Sequence, residues 1–487
     1  MADIILVQPI IGLLDNIKSS PALPLSLIHA ASIVSKEYEV IILDQRVDKN
    51  WAETLKSELK KNPICVGTTC MLGPQIKYAL EICKIVKDES NVPVVWGGPH
   101  GSTLTDQTIA NKYIDYVVTG DGEVTFSELV KALKEGTPVE NVKNIFYKVN
   151  GEIKSTPERE FSDLNEYPDP PYHLVDVKQY LPVRFGKPTL DMETSRGCPF
   201  SCTFCYNPTV NRRHWRALTA EKVLDRIKNL REKYGVDSFW FIDDEMFIDL
   251  KRAKKIVDGL NKMNIKYTVQ GVTARTVLNM DDEMIRLMEE SGCKQINIGA
   301  ESGSDRMLLM LKKGISIKET LAVNNKLKNT NIAPWFYFVV GFPTETVEEL
   351  RMTVDLASRL LKENPKARIS GIGCYTPYPG TPLFEESKKH GYVPPARLEE
   401  WSTYAVDNIN VPWLDKKGKD TIEGLQFVSF FVDSKAKDIA APLYVRVVAG
   451  LYRSIALKRM KNLNFKFPFE IKIGNILKKR IIKNKCF

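Results

Sequence analysis

Long apolar runs are absent from this chain. The longest, Trp335 to Phe342, falls well short of the roughly 18 residues that a membrane span needs. The start Met-Ala-Asp-Ile-Ile-Leu has no basic stretch ahead of an apolar one, so it reads as a first strand and points to a cytoplasmic protein. Histidine is scarce, with five in 487 residues, which leaves few imidazoles for metal or proton chemistry. The nine cysteines are odd in number and their spacings suit no disulfide framework. Internal repeats and low-complexity tracts are missing. So is any recognised nucleic-acid-binding module, and nucleic acid is not expected as a partner. What remains is ordinary soluble protein, 43% apolar and 26% charged, long enough for two or three domains.

The net charge of +9 is concentrated at one end. Residues 450–487 carry eleven Lys or Arg against the single acid Glu470, so the other residues together sum to −1. Pro442 to Met460 sets Leu443, Val447, Leu451 and Ile455 at helical spacing among Arg446, Arg453, Lys458 and Arg459. Such a basic amphipathic segment, here 442–485, suits an anionic membrane surface or an acidic substrate; a helix with a solvated basic face explains the pattern equally well.

The chemistry lies in one run, Ser195-Arg-Gly-Cys-Pro-Phe-Ser-Cys-Thr-Phe-Cys-Tyr206. Cys198, Cys202 and Cys205 offer three thiolates to one iron–sulfur cluster, and a cubane bound by three leaves one iron open to a small molecule. Zinc would want a fourth ligand, for which His214 beside Trp215 is the candidate.

This CxxxCxxC run, with aromatic Phe204 before the last cysteine, resembles the hallmark of the radical S-adenosylmethionine (SAM) enzymes. The resemblance implies a 4Fe-4S cluster whose open iron is chelated by SAM, an electron donor such as flavodoxin or ferredoxin, and formation of a 5′-deoxyadenosyl radical.

Strand and helix patterns alternate from the N-terminus. Ile4 to Pro9, Val40 to Asp44, Cys65 to Thr69, Val92 to Gly97 and Tyr116 to Gly120 read as strands, with helices at Leu25 to Ser35, Trp51 to Lys60, Gln75 to Lys87 and Thr125 to Lys134. This predicts an α/β, doubly wound, Rossmann-like domain over 1–145. Ligands of such sheets lie beyond the carboxyl ends of the strands, where the loops are small and glycine-rich: Thr68, Thr69 and Cys70, then Gly97, Gly98, Pro99 and His100, then Gly120, Asp121, Gly122 and Glu123. Together with Pro24 to Leu27, these loops resemble the cobalamin-binding domain that precedes the radical domain in one large subfamily. The Asp-x-His-x-x-Gly motif of classical cobalamin mutases is lacking, so His100 reads as a loop residue and the loop Thr68 to Leu72 as the floor beneath the cobalt.

The turn Asn150-Gly151 marks a hairpin, and a proline-rich linker over 146–188 follows. Six strand–helix units from Thr189 then predict a partial or full β/α (TIM-like) barrel over 189–390, with its site at the carboxyl mouth. The strands are placed at Thr189 to Thr194, Ser238 to Ile242, Tyr267 to Val272, Gln295 to Ala300, Trp335 to Val340 and Arg368 to Cys374. By resemblance, Asp243 and Asp244 receive the amino group of SAM, and Gly299, Glu301 and Ser302 hold its ribose and methionine; Arg275, at the end of the third strand, can fork onto its carboxylate, and Gly341, at the end of the fifth, can admit its adenine. Tyr375 and Tyr378 are candidates for the substrate cavity, and Cys70, Cys293 and Cys374 read as buried apolar residues. Residues 391–487 form a basic, mainly helical C-terminal region.

The expected activity is methylation of an unactivated carbon of a small molecule, with lipid, tetrapyrrole and natural-product intermediates open as substrate classes. Oxidation or ring closure is the alternative, followed by methylthio transfer or corrinoid binding without turnover.

Overall fold

A computed structural model describes residues 2–12, 15, 20–404, 408–433 and 443–465, with the side chains of 443–446, 448 and 449 outside the description. The described residues group into two compact units, Met1–Pro182 with Pro394–Ala405 and Val183–Val393 with Val406–Phe487.

In the first unit, β1 (Ile4–Gln8), β2 (Val40–Asp44), β3 (Cys65–Thr69), β4 (Val94–Gly97) and β5 (Tyr116–Val118) form a parallel sheet in the order β2-β1-β3-β4-β5. This is a doubly wound topology whose strand order reverses beside β1. Every residue of β1 and β3 is buried, as expected of strands covered on both faces. The hairpin β6 (Ile145–Val149) and β7 (Glu152–Ser155) extends the sheet antiparallel, with Asn150 and Gly151 both at positive φ in its turn.

The linker region is tied to this unit by a buried network: Tyr180 donates to Asp44 at 2.9 Å, and Asp44 pairs with the Arg46 guanidinium at 2.6 Å. The segment Pro394–Ala405 also belongs to this unit. Its Trp401 indole donates to Gln107 at 2.8 Å, and its Glu399 accepts from the Asn111 amide at 2.7 Å.

The second unit opens with the short hairpin β8 (Val183–Arg184) and β9 (Lys187–Met192), then the two-residue pair β10 (Ser195–Arg196) and β11 (Arg216–Ala217). Then come β12 (Ser238–Phe241), β13 (Lys266–Val272), β14 (Cys293–Glu301), β15 (Ala333–Val340), β16 (Arg368–Ile369) and β17 (Gly373–Cys374). The sheet runs β16-β15-β14-β13-β12-β9-β8, parallel from β9 to β16 and open at both edges, so the barrel is a half-barrel. Phe239, Phe241, Tyr267, Phe336 and Phe338 fill its core.

Seven helices of this unit start on side-chain caps that satisfy otherwise unpaired N–H groups: Thr219, Asp249, Thr273, Asp281, Ser304, Ser316 and Thr346. The sixth strand, expected to run unbroken from Arg368 to Cys374, is split between β16 and β17. Gly371 packs against the Phe430 ring there. The N–H groups of Ile369 and Ile372 donate to the side chains of Asp433 and Ser429, so the C-terminal region completes this edge of the sheet.

Candidate active site

The cysteine loop leaves β10 at the carboxyl end of the half-barrel and is held by partners from the same unit. Gly197 has φ +84°, and a Cβ there would sit 2.0 Å from the carbonyl oxygen of His214, so only glycine fits. Its N–H donates to Asp244 at 2.9 Å. The neighbouring Asp243 takes three hydrogen bonds on one oxygen, from the Thr194 amide, the Thr194 hydroxyl and the Ser195 hydroxyl, while its other oxygen is buried without a hydrogen-bond partner among the described residues. Farther along, Thr203 N–H donates to Leu311 and its carbonyl accepts from Leu383. Phe204 packs edge-on to Phe342 at 6.1 Å, and Tyr206 lies 5.4 Å from Tyr378.

All three thiols are half-buried and free of disulfides. Desolvation pushes Cys198 up to about 12 and Cys205 up to about 11, and raises Cys202 as well. Burial raises Cys65, Cys83 and Cys293 in the same way, so it is the spacing on one loop that sets these three thiols apart. Among the described residues no three His, Cys, Asp or Glu side chains converge on a single ion. A cubane asks something different of its ligands, since each thiolate holds a separate iron, and three thiols spread around one loop fit that demand. His214, the candidate for a fourth zinc ligand, is exposed.

Beyond the loop, Glu245 is fully buried. It accepts from the Thr273 amide at 3.0 Å and the Thr276 hydroxyl at 3.2 Å, and desolvation pushes it up to about 7. Glu301 ends β14 at a bulge with φ +59°, a strained conformation for a non-glycine residue, and pairs with Lys313 at 2.7 Å. The missing side chain of Gly299 makes room for this pair: a Cβ there would lie 2.3 Å from the Glu301 carboxylate and 2.6 Å from the Lys313 ammonium.

Other expected positions stand apart from this cluster. Arg275 is half-exposed and pairs with Glu319 at 3.1 Å. Ser302 is buried beside Thr353 and accepts from Ser304 N–H. Beside Gly341, the place of a side chain is taken by Ile422 and Cys374. Tyr375 is a core residue packed with Met307, Phe342 and Leu383, whereas Tyr378 stands against the cysteine loop. Cys70 and Cys293 are buried, and Cys374 is partly so.

The first unit presents a different surface at its strand ends. The loops after β3 and β4 are laced together, Cys70 N–H to Gly97 and His100 N–H to Cys70, both at 3.1 Å. Gly98 has φ +92°, and a Cβ would fall 2.6 Å from the Thr69 hydroxyl and 2.8 Å from the Cys70 amide. By contrast, a Cβ on Gly97 would approach only the Thr68 carbonyl, at 3.8 Å, so space is open above it. The Thr68 hydroxyl donates to Val7, and Gly120 N–H donates to Ser102. Pro99 and His100 open a short helix, Pro99–Thr103. Asp121 stands at the start of helix Gly122–Glu135, whose buried Glu123 lies 3.7 Å from His29. His100 is fully buried and edge-on to Trp401, neither ring nitrogen has a hydrogen-bond partner among the described residues, and desolvation pushes it down to about 4. An edge of glycine and backbone with open space above suits a large flat ligand such as a corrinoid.

Sequence reasoning missed Lys313, which lies twelve positions beyond its partner, and Trp401, which reaches His100 in the loop after β4 from about 300 residues away.

Comparison with known proteins bears on both sites. Residues 192–357 match the radical SAM superfamily and residues 21–130 match the B12 binding domain. The chain is 31% identical over 389 residues to the uncharacterized methyltransferase PH0819 of Pyrococcus horikoshii, covering 79% of this chain and 83% of that one. It is 28% identical to the anaerobic magnesium-protoporphyrin IX monomethyl ester cyclase of Cereibacter sphaeroides, covering 71% and 56%. Its fold matches the radical SAM methyltransferase TsrM of Kitasatospora setae, with bound cobalamin and [4Fe-4S] cluster, at a TM-score of 0.68 and 17% identity over 95% of this chain and 99% of that one. The cofactor set of a 4Fe-4S cluster, SAM and cobalamin follows from the two domains together. This chain belongs to the cobalamin-dependent radical SAM enzymes, the family that includes methyltransferases and oxidative cyclases.

Proposed function

We propose that this enzyme transfers a methyl group to an unactivated carbon of a small molecule. The observation that carries the reading is the joint presence of a pinned three-thiol loop in one unit and an open glycine-lined sheet edge in the other. The relationship to PH0819, which spans both domains, supports it.

Cys198, Cys202 and Cys205 would hold the cluster, and Thr68 to Leu72 with Gly97, Gly98 and Gly120 would form the floor for cobalamin. Asp243 and Asp244 would act through the loop they anchor, while Glu301, held by Lys313 at the end of β14, would contribute to the SAM site. When bound, the cofactors supply a carbon-centred radical and a transferable methyl group. The chain's part is to hold the cysteine loop in place through Asp243 and Asp244 and so to orient the three thiols. An electron donor of the flavodoxin or ferredoxin type would reduce the cluster.

Anaerobic reconstitution followed by incubation with SAM and candidate lipid, tetrapyrrole or natural-product intermediates tests the reading. Methyl transfer yields S-adenosylhomocysteine and 5′-deoxyadenosine in equal amounts with a methylated product. Accumulation of 5′-deoxyadenosine with an oxidised or cyclised, unmethylated product assigns the chain to the cyclase reaction instead. The Cys198, Cys202 and Cys205 triple alanine variant is expected to lose about four irons and keep about one cobalamin.

The C-terminal helix Leu443–Asn462 would touch an anionic membrane. Val447, Leu451 and Ile455 are 53%, 75% and 52% exposed along one stripe of that helix, with Lys458 and Lys461 exposed near its end. Residues 442 and 466–485 of the expected membrane segment lie outside the described residues. No described helix is long and apolar enough to cross a membrane. Flotation with phosphatidylglycerol vesicles is expected to carry the wild type and leave Leu451→Asp behind; equal flotation of the two removes the membrane role.

A further inference from the structure

We propose that Lys313 is a positioning residue of the cluster site, a fixed buried cation that sets the reduction potential of the cluster held by Cys198, Cys202 and Cys205. The inference rests on the cluster reading above and concerns a residue that no sequence pattern singled out.

Four observations converge on it. The Lys313 side chain is only 11% exposed, and Glu301 beside it 8%. An ammonium is costly to bury without a partner, and the 2.7 Å contact with Glu301 supplies one. Second, the backbone is shaped to deliver the side chain: Lys312 and Gly314 on either side both have positive φ, and Lys313 N–H returns to Leu308 at 3.0 Å, closing the end of the helix Asp305–Met310. Third, β14 bulges between Gly299 and Glu301, places Glu301 at φ +59°, and keeps Gly299 free of the side chain that would collide with both members of the pair. Three local departures from regular structure thus serve one ion pair, and such strain gathers at functional sites.

The fourth observation is position. The ammonium lies 6.0 Å from the ring centre of Phe204, the residue between Thr203 and Cys205. A cluster gains one negative charge on reduction. A fixed positive charge nearby, in a site where burial weakens screening, favours that reduced state. Glu301 has the opposite effect, and by pairing with Lys313 it limits the gain while keeping its own carboxylate in one orientation at the strand end.

The test is an EPR-monitored redox titration of the reconstituted full-length protein without SAM, with iron content measured in parallel. Lys313→Met and Lys313→Arg are each made alone and together with Glu301→Gln, so that a carboxylate left unpaired does not itself change charge. The expected result is an iron-loaded Lys313→Met protein whose reduction equilibrium is at least tenfold less favourable, about 59 mV more negative for one electron, with Lys313→Arg near wild type. Glu301→Gln alone is expected to shift the potential the other way. Should Lys313→Met lose its iron, Glu301→Gln carries the test, and a wild-type potential in that variant overturns the proposal. Iron-loaded Lys313→Met at wild-type potential overturns it as well. A wild-type protein that binds no iron is a different result, because it removes the cluster reading itself.

Discussion

Two α/β sheets in this chain end in sites made of different material. At the strand ends of the first unit the surface is backbone and glycine: Gly97 faces open space, Gly98 sits against Thr69 and Cys70, and the buried imidazole of His100 is neutral. At the strand ends of the second unit the site is made of charge and sulfur, with Asp243, Asp244, Glu245 and Glu301 around three thiols and one buried ammonium. A broad, uncharged corrin face is met by shape and close backbone approach. An anionic cluster and a zwitterionic ligand need fixed charges at defined positions. The same sheet architecture serves both because the ligand-facing atoms lie in the loops beyond it.

The largest expected effects come from the glycine that each loop cannot do without. Gly197→Ala forces a Cβ against the His214 carbonyl at positive φ, and Gly98→Ala does the same against Thr69. Each is expected to weaken its own cofactor by ~10-fold or more, at least ~1.4 kcal/mol, and to spare the other: iron falls in Gly197→Ala, cobalamin in Gly98→Ala. Metal analysis and the optical spectrum of bound cobalamin read both at once. Joint loss of both cofactors from either variant would break the comparison.

A smaller effect separates the two units by pH. His100 is pushed down to about 4 in the fold, below the ordinary value of 6.5, so the unfolded chain binds more protons between these values and stability falls as pH drops from 6.5 towards 4. Glu345 is pushed up to about 7 by burial, against an ordinary 4.5. There the folded chain binds more protons, so stability is present below about 4.5 and is lost as pH rises through 7. Denaturant titration should show wild type losing ground to Glu345→Gln between pH 5 and 8 by about 1–2 kcal/mol, since a tenfold difference in proton affinity is worth about 1.4 kcal/mol and the side chain is partly exposed. Against His100→Gln the same comparison should run in the acid direction. Parallel curves for wild type and either variant would show that the buried group does not titrate as its surroundings imply.

Much of this was legible because it is local. The alternation of apolar and turn residues placed Val40 to Asp44 and Cys65 to Thr69 where the strands stand. It failed where side chains from elsewhere replace the ladder, as at Ile369 and Ile372, whose partners Asp433 and Ser429 come from beyond residue 428. Site residues divided in the same way. The acids after β12 were singled out by resemblance, at the end of a strand legible in the sequence. Their work of anchoring Gly197 and Thr194 was not, because an acid's hydrogen-bond partner is chosen by packing.

The sequence by itself determined the thiol spacing, the glycines of both loop sets and the alternation of strands and helices, since each is a local relation along the chain. Only the tertiary structure decided that the sheet stays open as a half-barrel, that Trp401 covers His100, and that Lys313 is buried against Glu301 beside the cysteine loop. Those outcomes depend on which surfaces are left to bury once the local elements have formed. An ammonium finds its place in the interior only where a carboxylate, a glycine and a bulge have already made one.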